Sequence, residues 1–227
     1  MKKYLLSSLF TVLAISLLST ASPAEAAKKL HSIVKDNFNF YLDGSIVGQG
    51  GWSNYANGGN FVVQGATTFE GKKALHNNSF GDSVITKTKT ALSDGMQSVY
   101  IKTENRSSWG ANVDGNAQVR VSKGSWASGA PGLPFAAISF KSDGNVAYYD
   151  SINNVYQNFA NYNDNVWTLL EIQWRSSDKT ARYRVNSGTW TNWYTFQDSA
   201  NFTNFDNVGL GFNLPNGSGG VYYDTLR

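Results

Sequence analysis

From residue 61 to the end, the chain is a succession of short β-branched and aromatic runs, each stopped by Gly, Asn, Asp or Ser. "FVVQ", "SVITKTK", "MQSVYIK", "AQVRVSK", "FAAISFK", "NVAYYD", "VWTLLEIQW", "ARYRVN", "WTNWYTF", "VGLGFN" and "GGVYYDTL" all read as strands. Beyond the leader, no stretch keeps apolar residues at i, i+3, i+4 and i+7 over three turns, so helices are not expected. That many strands without helices must bury their apolar faces against one another. The expectation is an all-β chain, an antiparallel two-sheet β-sandwich of the jelly-roll kind. "SDGN" at 142–145 marks a hairpin, because Asp-Gly accepts the positive φ of a tight turn, and "SSDK" at 176–179 and "NSG" at 186–188 read the same way.

The opening residues have a different character. Lys2 and Lys3 precede an apolar run from Tyr4 to about Leu18, and Ala24-Glu25-Ala26 forms an A-x-A site, the pattern of a secretory signal peptide ending at residue 26. The run is too short for a membrane span and no second one follows. Residues 27–31 form a short lead-in and 32–227 one domain, expected to be secreted, with the periplasm and the cell surface as alternatives. Losing Lys2, Lys3 and Glu25 takes the formal net charge from +3 to about +2, which calls for no nucleic-acid partner. The chain has no cysteine, which excludes a disulfide framework, a thiolate nucleophile and a Cys-ligated metal. His31 and His76 are the only imidazoles, and no G-x-S-x-G elbow accompanies them.

Period-two alternation sorts the strand residues by face. In "VWTLLEIQW", Val166, Thr168, Leu170, Ile172 and Trp174 form the core face, and Trp167, Leu169, Glu171 and Gln173 the other. In "TARYRVN", Ala181, Tyr183 and Val185 point inward and leave Arg182 and Arg184 outside. In "WTNWYTF", Trp190, Tyr194 and Phe196 are expected inside, so Trp193 is the exposed tryptophan. Consecutive strands joined by short turns pair in order, which gathers Trp193, Arg182, Arg184, Glu171 and Gln173 on one outer face. Tyr100, with Ser98 and Lys102, and Arg120, with Gln118, add to a polar outer set whose sheet the sequence does not assign. An aromatic ring beside long amide and guanidinium groups suits a sugar, whose C–H groups stack while its hydroxyls take directional hydrogen bonds. A plain solvated face has the same composition. Trp109 in "RSSWGANVDG" and Trp126 in "KGSWASGAPG" sit in polar loops, as further sugar contacts or as loop anchors.

Gly44, Gly48, Gly50 and Gly51 cluster before Trp52 like a phosphate cradle. No helix pattern and no Lys-Ser or Lys-Thr follows, so the glycines are read as conformational and Trp52 as a core plug.

"DNFNFYLDGSIVGQGGW", "VWTLLEIQWRSSDKTARYRVNSGTWTNW" and "FDNVGLGFNLPNGSGGVYYDTLR" together resemble secreted bacterial domains of the concanavalin A-like lectin/glucanase superfamily, the laminin G-like jelly rolls. The resemblance implies that the first and last strands are neighbours. It also implies a structural calcium where they meet, held by Asp36 and Asp224 with help from a carbonyl near Gly44, since calcium takes hard oxygen ligands. Its catalytic members set a precedent that this chain lacks. The laminarinase-type enzymes alternate acids as E-x-D-x-x-E, placing two carboxylates about 5 Å apart, whereas Glu171 has Leu169 and Gln173 where partners belong. The alginate-lyase type uses a Gln-His pair, and Leu75 precedes His76. The reading favoured by the sequence is a non-catalytic domain that binds polysaccharide or cell-surface glycan. A glycoside hydrolase or polysaccharide lyase acting through Glu171 and Tyr100 is the alternative, and an extracellular protein-interaction domain the third.

Overall fold

A computed structural model of the chain describes residues 30–110, 115–124, 134–196, 199–214 and 219–227. The leader and Trp126 lie outside the described residues. The first strands are β1 (Gly44–Ser45), β2 (Trp52–Ala56), β3 (Val62–Gln64), β4 (Ala74–Asn77) and β5 (Gly81–Leu92). They are followed by β6 (Gly95–Thr103), β7 (Ala117–Ser122), β8 (Phe135–Phe140), β9 (Asn145–Asp150) and β10 (Val155–Asn161). The last are β11 (Thr168–Arg175), β12 (Thr180–Val185), β13 (Tyr194–Thr195), β14 (Phe205–Leu214) and β15 (Val221–Asp224).

These strands make two antiparallel sheets. One has eight strands in the order β1-β3-β4-β15-β6-β11-β12-β13, the other seven in the order β10-β9-β8-β7-β14-β5-β2. The β-sandwich expected from the strand pattern is the observed architecture. Asp36 and Leu226 bridge the two ends of the chain, with Asp36 N donating to Leu226 O at 3.0 Å and Leu226 N to Asp36 O at 2.7 Å.

The turns follow their chemistry. Between β8 and β9, Gly144 adopts φ +89° and donates to Lys141 O at 3.0 Å. After β12, Asn186 and Ser187 both take positive φ, 51° and 56°, and Gly188 N closes the turn on Val185 O at 2.9 Å. Two successive positive φ values match the right-handed twist of the flanking chain.

The space between the sheets is filled by the alternating residues of both. Val99, Ile101, Leu170, Ile172, Trp174, Ala181 and Tyr183 from one sheet meet Ile85, Val119, Val121, Ile138, Val208, Leu210 and Phe212 from the other in a single apolar cluster. Val166 departs from the inward set of its run: it lies before β11 begins and is 50% exposed. Trp52 is buried as expected, and Gly44, Gly48, Gly50 and Gly51 all take positive φ. At Gly50 a Cβ atom would fall 2.1 Å from the Tyr41 hydroxyl, so only glycine lets Tyr41 lie there.

Candidate functional site

The register of the eight-stranded sheet assembles four of the residues singled out in the sequence. β11 pairs with β12 so that Glu171 faces Arg184 and Gln173 faces Arg182. Arg184 donates to Glu171 through Nε at 2.5 Å and Nη2 at 2.8 Å, and Arg182 Nε donates to Gln173 Oε1 at 2.9 Å. One step along, Arg175 Nε donates to Asp178 Oδ1 at 2.7 Å, with a second bond from Nη2 to Oδ2.

Two indoles lie among these guanidiniums. The Cζ atoms of Arg184 and Arg182 are 4.3 and 4.7 Å from the Trp190 ring centroid, and those of Arg182 and Arg175 are 4.6 and 4.0 Å from that of Trp193. The result is a five-membered row, Arg184, Trp190, Arg182, Trp193, Arg175, in which cations and ring quadrupoles attract. Trp190, expected in the core, is therefore on the outside. The reason is local: the turn at 186–188 returns the chain beside β12, but only Tyr194–Thr195 forms strand. Across 188–193 strict alternation has no pleat to impose it, and both tryptophans turn to the arginines. Trp193 is half-buried rather than freely exposed, with two guanidiniums over its ring.

Farther along the same face lies an aromatic row that the sequence reading did not assemble. Phe69 stacks on Tyr100 with centroids 3.6 Å apart, Trp167 meets Phe69 edge-on at 5.9 Å and Tyr222 at 6.3 Å, and His76 stacks on Tyr222 at 4.2 Å. Phe69 is 41% exposed. Tyr222 Oη donates to Glu104 Oε1 at 2.9 Å, and Lys102 Nζ lies 5.4 Å from the Tyr222 ring centroid. Burial lowers the His76 pKa, although Glu104 pulls the other way. Burial and the bond to Glu104 raise that of Tyr222. The sequence signals for this row were Trp167 and Tyr100, each on the outer side of its strand. Phe69 sits in a loop, and the pairing of β4 with β15 and of β15 with β6 is long-range.

Asp224 has a different task from the one the resemblance implied. Its Oδ2 accepts from the backbone N–H groups of Phe69 at 2.8 Å and Glu70 at 3.0 Å, and its Oδ1 from the Thr225 backbone N–H at 2.7 Å and hydroxyl Oγ1 at 3.2 Å. It is fully buried, and burial raises its pKa against those four bonds. Asp36 is saturated as well: Oδ2 accepts from Tyr41 Oη at 2.5 Å, Lys87 Nζ at 2.7 Å and Trp52 Nε1 at 3.0 Å, and Oδ1 from Phe38 N at 3.0 Å. Burial alone would raise its pKa, but the bonds led by Lys87 and Tyr41 hold it below the ordinary value. Calcium needs six to eight oxygen ligands with lone pairs to give. Here donors occupy both carboxylates, and an ammonium group already stands beside Asp36. Asp36 and Asp224 do not fit the expected calcium site, and among the described residues no group of three or more His, Asp or Glu is placed to hold an ion.

Two readings left open by the sequence are decided. Trp109 is no part of an open surface: it is fully buried, edge-on to Phe212 at 5.2 Å, which makes it a loop anchor. Arg120 and Gln118 are on β7, in the other sheet, so they do not join the set around Trp193. Arg120 is 7% exposed, with Cζ 4.0 Å over the Phe135 ring. Burial lowers its pKa, partly offset by Tyr156, Tyr149 and Tyr55. Its neighbours in register, Gly209 and Ala137, are small.

A pair of catalytic carboxylates is absent from the strands around Glu171. Glu171 is 4% exposed and bound at both oxygens by Arg184. The neighbouring acids are engaged as well: Asp178, in the turn between β11 and β12, is bound by Arg175, and Asp224, two strands away through β6, by its own donors.

No protein-family model and no curated protein matches the sequence. Solved structures do. A sialidase aligns over 86% of this chain at TM-score 0.57 and 13% identity, but the chain spans only 18% of that protein's length. The alginate lyase Aly36B in complex with alginate trisaccharide aligns over 85% of this chain and 95% of its own, at TM-score 0.54 and 11% identity. The metal-free carbohydrate recognition domain of Emp46p aligns over 88% and 98%, at 0.51 and 11%. The fold is a concanavalin A-like lectin fold. Within this sandwich the aromatic row and the arginine–tryptophan row share one outer sheet face. The likeness fixes the architecture; the chemistry of that face has to be argued from its own residues.

Proposed function

We propose that this chain is an exported, non-catalytic domain that binds polysaccharide or cell-surface glycan along the outer face of its eight-stranded sheet. The observation that carries the reading is the continuity of two kinds of contact along β11. Trp167, immediately before β11, and Arg175, at its end, are eight residue steps apart, about 27 Å at ~3.4 Å per step. One end offers aromatic rings, and the other offers guanidinium donors. Extended glycans need both, apolar stacking under the ring and directional bonds to oxygen. The indoles of Trp190 and Trp193 hold the arginines in place, so stacking falls to Phe69 and Trp167. Neighbours of this fold include a carbohydrate recognition domain and a lyase bound to a sugar chain, which supports a glycan as ligand. Calcium has no part in this reading. Binding of residues 27–227 to immobilised glycans, with product analysis of every ligand retained, is the test: retention without cleavage is expected.

A glycan-degrading enzyme is the second reading, and one observation favours it. Tyr222, Glu104 and His76 form a hydrogen-bonded and stacked group at the end of the aromatic row. The raised pKa of Tyr222 works against its acting as a base near neutrality. Cleavage that disappears in Tyr222→Phe would establish this reading instead.

A further inference from the structure

The row of arginines and tryptophans is not balanced in charge. It holds three guanidiniums, Arg175, Arg182 and Arg184, against two carboxylates, Asp178 and Glu171, each of which is bound bidentately by one arginine. The middle guanidinium is the one left over. Arg182 donates through Nε to the neutral amide oxygen of Gln173 at 2.9 Å, and among the described residues no carboxylate accepts from it.

We propose that Arg182 is an oxyanion subsite that makes this face select anionic glycans, bearing carboxylate or sulfate, over neutral ones. The inference rests on the glycan-binding reading above and names its ligand class.

Three features fit an oxyanion better than a hydroxyl. Gln173 fixes the guanidinium through Nε and leaves the Nη pair as donors, the edge that grips two oxygens of one anion in a fork. Trp190 and Trp193, with centroids 4.7 and 4.6 Å from Cζ, shield it from water and hold its plane. Burial and the like charges of Arg175 and Arg184 lower its pKa, so the protonated form sits in a field that an incoming anion relieves. A neutral sugar offers hydroxyl acceptors but no charge to offset the third cation.

The subsite also explains Gln173. A carboxylate there would have completed the pattern seen at Glu171 and quenched the site. A neutral amide orients Arg182 and leaves its charge available.

The test uses hexasaccharide-length uronate oligomers, each with its carboxyl-reduced neutral counterpart, and a sulfated oligomer of matched length. All are titrated by calorimetry against the protein of residues 27–227. The account expects at least tenfold tighter binding of the uronate or the sulfated oligomer than of the neutral form, and the better of the two identifies the anion. In Arg182→Gln this preference should fall to within about twofold, while Arg182→Lys, which keeps charge without the fork, should retain part of it. Melting curves confirm that both variants fold. Equal affinity for charged and neutral forms, or an undiminished preference in a folded Arg182→Gln, would overturn the inference while leaving glycan binding intact. Failure to bind any of the three classes would remove the glycan reading and this inference with it.

Discussion

Glu171 and Arg184 face each other across β11 and β12 and share two hydrogen bonds, at 2.5 and 2.8 Å. This pairing engages both carboxylate oxygens of the one acid at the centre of a strong strand, and a structural role predicts a stability cost on its removal. Glu171→Gln leaves Arg184 without its counter-charge and should keep glycan retention, tightened for anionic glycans, at a cost of roughly 1–3 kcal/mol of stability. That is less than the 3–5 kcal/mol of a fully buried pair, because Arg184 keeps some contact with water. Urea denaturation measures the cost, and a double-mutant cycle with Arg184→Leu isolates the pair. Loss of a cleavage activity in folded Glu171→Gln would contradict this role.

Trp190 is expected to matter for stability although it lies outside the core. Trp190→Ala removes the ring between Arg182 and Arg184, for an expected loss of about 1–3 kcal/mol by thermal or urea unfolding. Trp190→Phe should recover part of it. No change in either variant would show that the row is only a surface arrangement.

The contrast between Trp174 and Trp190 shows where the sequence was legible. Trp174 belongs to an unbroken alternation in β11, where the pleat alone decides the face, and it is buried as read. Trp190 follows a tight turn with little regular pairing, and its face is decided by which cations it meets. Local order was readable for the same reason: β11 and β12 are joined by a short turn, and β11, β12 and β13 pair consecutively. Arg120 was not assignable, because which sheet β7 joins depends on β14, far along the chain. Phe69 was invisible as a site residue, since Asp224, 155 positions away, seats its loop. The surroundings of Asp36 and Asp224 were hidden similarly: the sequence shows two acids but not the donors that fill them.

The knot around Asp36 predicts an acid limb in stability. Its folded pKa is held below the ordinary 3.8, so the stability it supplies is complete above that value and is lost as pH falls through the depressed one. Asp36→Asn leaves Lys87, itself 5% exposed, without its counter-charge, and should cost roughly 3–5 kcal/mol at neutral pH. Melting temperatures of wild type and variant, taken from pH 7 downward, should converge below about pH 3.8. A gap that stays constant would mean that the charge of Asp36 is not what stabilises the knot.

Calcium should leave the melting temperature unchanged, with chelator and with millimolar ion alike, because a ligand that binds only the folded state would raise it. A clear upward shift that survives Asp224→Asn would place an ion site elsewhere in the chain.

The central claim is that glycan binds the outer face of the eight-stranded sheet. It is tested most directly by comparing the affinity of one retained oligosaccharide for wild type, Phe69→Ala and Tyr55→Ala. Phe69 lies on that face; Tyr55, 40% exposed, lies near Arg120 on the opposite sheet. The account predicts at least about a tenfold loss in Phe69→Ala, the ~1.4 kcal/mol of one stacking contact, and wild-type affinity in Tyr55→Ala. The reverse pattern, with Tyr55→Ala weakened and Phe69→Ala unaffected, would move the ligand to the other sheet and contradict the account.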